Sequence, residues 1–111
     1  MKQFRIEKIV LDQLSESVQA LVEKNYFSDE DYAVSYLTDI VRFFQLNIDR
    51  MVVKPAPAYF KKYCVVTSDL KYVSYRKNSR TTWYAFFEEY GDIISVVYLN
   101  NNHVIGHLLE I

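Results

Sequence analysis

The chain has 111 residues, a formal net charge of −1, half of its residues hydrophobic and a single cysteine. That length supports one domain around one real core, and the near-neutral balance excludes a protein that grips nucleic acid through a global basic excess. Cys64, standing alone, excludes an internal disulfide and a multi-cysteine metal site, which fits a reducing cytoplasm.

The aromatic content stands out: ten Tyr, seven Phe and one Trp. Tyr suits half-wet places, because its ring is apolar and its hydroxyl needs a partner. So many predict a sheet face or an interface that is neither dry nor fully solvated. The N-terminus, MKQFRIEKIVL, alternates charged and apolar residues rather than forming the apolar block of a signal peptide. No run reaches the ~18–20 apolar residues of a membrane span. These features predict a cytoplasmic protein with no membrane partner.

In chain order, Phe4 and Ile6 alternate with Arg5 and Glu7, as in a short edge or sheet-completing strand. Asp12 reads as the N-cap of a helix from about Gln13 to Lys24, with Leu14, Val18, Leu21 and Val22 on one stripe and Asn25 as its stop. Ser28-x-x-Asp31 resembles a capping box. From there Ala33, Tyr36, Leu37, Ile40, Phe44, Ile48, Met51 and Val52 hold a helical period up to Pro55, predicting the longest helix over 28–52. The stretch Lys54 to Tyr63, which carries both prolines, reads as a turn or short helical link, and Cys64–Thr67 as a short strand or extended lead-in.

Three runs rich in Tyr, Val, Trp, Phe, Ile and Thr follow: Leu70–Arg76, Thr81–Glu88 and Ile93–Asn100. Short polar turns separate them, so an antiparallel meander is predicted. Alternation puts Trp83, Ala85 and Phe87 on one face of the middle strand and Tyr84, Phe86 and Glu88 on the other. Asn100–Asn102 ends the meander with turn-formers, and HVIGHLLEI is apolar enough to pack back as a strand or helical turn. The predicted whole is a single α+β domain over residues 1–111, with two helices on one face of an antiparallel sheet of about four strands. The other face must then expose several aromatics, be covered by the Pro55–Tyr63 link and the C-terminal tail, or form a protein–protein contact, as a homodimer or with a partner, since a large exposed apolar patch is unusual in a monomer.

Few motifs carry chemistry. With two glycines, Gly91 and Gly106, neither a dinucleotide fingerprint nor a P-loop can form. His103 and His107 have metal-ligand spacing but lack an evident third ligand, so no metal site or cofactor is predicted. The one candidate cluster is basic and aromatic: Lys71, Arg76, Lys77 and Arg80 among Tyr72, Tyr75, Tyr84 and Tyr98, with His103 beyond the last strand. Six basic residues lie between Lys61 and Arg80 against one acid, Asp69. Charge for phosphate and rings for stacking are what single-stranded RNA contact requires. RNA cleavage there would use Arg or Lys on the phosphate and His or Tyr for proton transfer. The structural alternative is a charged rim that keeps a sheet edge from aggregating.

The order strand, two helices, three-stranded meander, with its Arg80–Thr81–Thr82–Trp83–Tyr84 strand and its Asn100–His103 end, resembles the RelE/ParE toxin fold from Phe4 to about His103. That resemblance implies two functional classes. One is an RNA-cleaving toxin of a toxin–antitoxin pair, with Arg80 and His103 catalytic, Lys71, Arg76, Lys77 and Tyr84 on the RNA, and an antitoxin-like partner. The other is a non-catalytic protein-binding module, gyrase-binding-like or an inactive toxin fold, using the aromatic sheet.

Overall fold

The computed structural model describes residues 2–23 and 30–109, by backbone alone for 17–23 and 30. Its elements are β1 (Gln3–Ile6), α1 (Lys8–Glu23), α2 (Glu30–Asn47), β2 (Lys54–Pro55), β3 (Lys71–Arg76), β4 (Thr82–Tyr90), β5 (Ile93–Asn101) and α3 (Asn102–Ile105). Short 3-10 turns follow α2 (Ile48–Arg50), link β2 to β3 (Ala58–Tyr63) and end the described chain (Gly106–Leu108).

The sheet has five strands in the order β1-β5-β4-β3-β2, not about four, and it is mixed. The meander β3–β4–β5 is antiparallel as expected, whereas β1 lies parallel to β5, Gln3 opposite Ile93 through Ile6 opposite Val96. Alternation in a four-residue strand fixes which side chains face the core but not the direction of its partner. The hairpin β4–β5 closes on Gly91, whose φ of 56° is a left-handed conformation that glycine adopts without steric cost. Between Phe86 and Phe87 the register slips, because Tyr98 faces Phe86 while Val96 faces Phe87. Val97 is thus the extra residue of a bulge.

On one face, Leu37, Ile40, Phe44 and Ile48 of the α2 stripe meet Val73, Trp83, Ala85, Phe87, Val96 and Leu99 of the sheet. This is the helix-covered face the sequence predicts. The helix boundaries shift, however. α1 starts at Lys8, so Asp12 sits inside it; α2 ends at Asn47, followed by a 3-10 turn, and Val52 beyond it is exposed. The capping box at Ser28 and the stop at Asn25 lie outside the described residues.

The opposite face is not left open. Ala56 and Phe60 of the link, with Ile105 and Leu109 of the tail, bury Leu70, Tyr72, Phe86 and Val97. Phe60 has no exposed surface, and its ring stacks on Phe86 at 4.3 Å between centroids. The face expected to await a homodimer through the sheet is therefore covered by the chain itself, and that reason for an interface disappears.

Cys64–Thr67 forms no strand. It is a loop wrapped round the carboxylate of Glu88, which points from β4 into the second face and has no exposed surface. That carboxylate accepts from the backbone N–H of Val65 (2.8 Å), Val66 (3.0 Å) and Thr67 (2.6 Å) and from the Thr67 hydroxyl (3.0 Å). Burial alone would push its pKa up. The backbone donors, Thr67 first, and the Thr67 hydroxyl outweigh that and hold it below the usual glutamate range.

Candidate nucleic-acid interface

The β3–β4 turn is built from the asparagine outward. Asn78 Oδ1 accepts from the backbone N–H of Arg80 (2.9 Å) and Thr81 (3.0 Å), and the N–H of Lys77 donates to the Thr81 carbonyl (2.9 Å). Arg76 braces the same turn, its guanidinium donating to the carbonyls of Asn78 (3.4 Å) and Ser79 (3.3 Å). These bonds hold the backbone N–H of Arg80 within the turn. Among the described residues its guanidinium has no hydrogen bond or ion pair, and it is exposed.

The Asn100–His103 run is a clasp, not a loose turn. Asn101 Oδ1 caps α3 by accepting from His103 N–H (3.0 Å). Asn102 reaches across to the hairpin: its Oδ1 accepts from Thr82 N–H (2.9 Å) and its Nδ2 donates to the Arg80 carbonyl (3.1 Å). His103 Nε2 lies 3.1 Å from Thr81 Oγ1, and Nδ1 makes no hydrogen bond among the described residues. The two predicted catalytic residues, 23 apart in the chain, thus share one corner of the sheet. The polar triplet that sequence reasoning assigned to a turn is what joins them. Its signal was present as three consecutive amides, each able to donate and accept.

The four predicted RNA-contact residues divide. Arg76 belongs to the corner, although its guanidinium is already partly engaged there. Lys77 also starts at the corner, but its Nζ reaches over the Tyr36 ring of α2, 5.6 Å from the centroid. Tyr84 faces Asn100 across the β4–β5 ladder and lies 6.0 Å from Tyr72 by ring centroid. Burial, and then Tyr72, push its phenol up, keeping it neutral. Lys71 sits at the far end of β3, its Nζ 3.9 Å from Glu89 Oε1, away from the corner. His103 and His107 gather no third ligand, since no group of three metal-capable side chains exists among the described residues. Nor is any described helix long and apolar enough to cross a membrane.

The near-zero net charge conceals a segregation. In the sequence, residues 7–49 hold nine acids and three bases, while the rest of the chain holds ten bases and five acids. Of those five, Glu88 is buried in its ring of donors and Glu89 pairs with Lys2 and Lys71. Arg76, Lys77 and Arg80 at the corner belong to this net-basic part of the sequence. Comparison with known protein families, with curated proteins and with solved structures found no match for the chain.

Proposed function

We propose that the protein is a RelE/ParE-like toxin-fold protein that cleaves single-stranded RNA at the Arg80–His103 corner. One observation carries the reading: Asn102 and Thr81 tie the exposed Arg80 and the exposed His103 to the same end of the sheet. A phosphate at that corner meets the Arg80 guanidinium, which neutralises charge building on the non-bridging oxygens. The 2′-hydroxyl attacks the adjacent phosphorus and passes its proton to solvent water. His103, protonated, keeps Nε2–H on Thr81 Oγ1 and gives the Nδ1 proton to the departing 5′-oxygen. The P–O5′ bond breaks as the P–O2′ bond forms, leaving a 2′,3′-cyclic phosphate and a 5′-hydroxyl.

A second reading has its own observation. Leu11 and Leu14 of α1, with Val34, Leu37 and Val41 of α2, line an open groove of about 360 Å³ on the helical layer. Leu11 and Val34 are about half exposed (49% and 46%). Such a groove suits a protein-binding module that seats an apolar helix face, and an antitoxin-like partner would fit either reading. Induced expression with growth and RNA integrity followed together separates them. Growth arrest with RNA breakage that both Arg80→Ala and His103→Ala abolish supports the nuclease. Growth arrest over intact RNA, lost on Leu11→Glu, supports the binding module.

A further inference from the structure

The side of β5 facing away from β4 is only half covered. β1 pairs with Ile93–Val96 and stops, and the chain then turns into α1. Beside the remainder of the strand lies a cleft of about 420 Å³, within the range of small-ligand sites. Leu14 and Leu99 give it an apolar floor. Tyr63 and Tyr98 form one wall as a stacked pair, 4.5 Å between centroids and 13° apart in plane. Its polar rim is Gln13 and Glu16 of α1 and the amide of Asn100. Asn100 is oriented by its neighbours, Nδ2 donating to the Tyr98 hydroxyl (3.2 Å) and Oδ1 accepting from Asn101 N–H (2.9 Å).

Apolar floor, aromatic wall and hydrogen-bonding rim together describe a site for a flat heterocycle rather than for a peptide or a lipid chain. Among the bases, guanine alone presents two adjacent N–H donors, N1–H and the 2-amino group, on its Watson–Crick edge. A carboxylate accepts both at once, and Glu16 is the carboxylate on the rim. Burial, and then Tyr98, push the Tyr63 phenol up, so its O–H stays a neutral donor. Lys62, whose Nζ lies 4.1 Å from the Tyr59 ring centroid and 5.4 Å from that of Tyr63, is a positive charge next to the aromatic wall. Asn100 adjoins the Asn101–His103 clasp, which links the rim of the cleft to the corner through consecutive residues.

We infer that the cleft between α1, Tyr63 and the end of β5 is a guanine-binding subsite that selects the nucleotide beside the cleaved bond. This specificity rests on the RNA reading above. The test is titration of the ¹⁵N-labelled protein with GMP, AMP, CMP and UMP in parallel. GMP is expected to shift Gln13, Glu16, Tyr63 and Asn100 at concentrations where the other three do not. Glu16→Gln should level the four nucleotides, and Tyr63→Leu should weaken GMP about tenfold, the scale of one lost stacking contact. Glu16 is exposed, so its variant carries the test even if Tyr63→Leu fails to fold. Equal shifts for all four nucleotides, or none at these residues, overturn the subsite. If single-stranded RNA shifts Arg80 and His103 while GMP leaves the cleft unmoved, the subsite falls and the RNA reading stands. If GMP fills the cleft while RNA leaves Arg80 and His103 unmoved, the RNA reading falls, and with it the role beside a cleaved bond.

Discussion

Glu88 shows how one residue can organise a segment with no regular structure. Val65 and Val66 are exposed, so their own burial does not hold 64–69 in place; their N–H groups do, by converging with Thr67 on one buried carboxylate. Glu88→Gln replaces an acceptor oxygen with an NH₂ that faces these donors, and should cost about 2–3 kcal/mol, the scale of a hydrogen bond to a charged group lost in a buried site. The pH dependence follows from the depressed pKa. The carboxylate contributes stability above its unfolded value of about 4.3 and loses that contribution as pH falls through the lower folded value. Urea unfolding at neutral pH and again below pH 4 should show wild type losing its advantage over Glu88→Gln on acidification. A constant gap would mean the ring of donors does not discriminate charge. The sequence hid this role, because alternation placed Glu88 on the second face without showing what it would meet there.

At the scale of elements, the 3-10 link and the tail act as a second core layer. Phe60→Ala removes a fully buried ring stacked on Phe86 and should destabilise by about 3–5 kcal/mol, as much as Phe44→Ala on the helical face; denaturant midpoints compare the two directly. Asn102→Ala removes the bonds to Thr82 N–H and the Arg80 carbonyl, so the Thr82 amide should exchange faster while the amides of β1 keep their protection. The helical stripe of α2 and the meander were legible because each repeats a period over many residues, 3.6 in one and two in the other. The link and tail were legible as one way to cover the second face, but not as the way taken, nor by which side chains. A few apolar side chains at irregular spacing, Ala56, Phe60, Ile105 and Leu109, cover a sheet face only once the chain path brings them there. The parallel pairing of β1 and the two-residue β2 were invisible for the same reason. At the candidate site, residue types were legible, but their grouping was not: Arg80 and His103 meet through Asn102 and Thr81, while Lys71 is held at the other end of its strand.

Across the whole chain, charge is unevenly divided along the sequence, with residues 7–49 net acidic and the remainder net basic. On the proposed RNA reading, binding at the Arg80–His103 corner should weaken with salt, with a log–log slope of about −0.7 for each phosphate neutralised on a single strand. Arg80→Ala should make that slope shallower by about one contact. Because both sheet faces are covered, the protein should sediment at micromolar concentration without forming a dimer through its sheet. Whether Arg80 and His103 form one cleavage site is decided by the rate of single-stranded RNA cleavage by purified wild type, Arg80→Ala and His103→Ala. Wild type is expected to cleave and leave a 2′,3′-cyclic phosphate, with losses of about 10²–10³-fold for Arg80→Ala and about 10²–10⁴-fold for His103→Ala, both variants remaining folded. Intact RNA with wild type, or cleavage by either variant at the wild-type rate, would contradict a shared site.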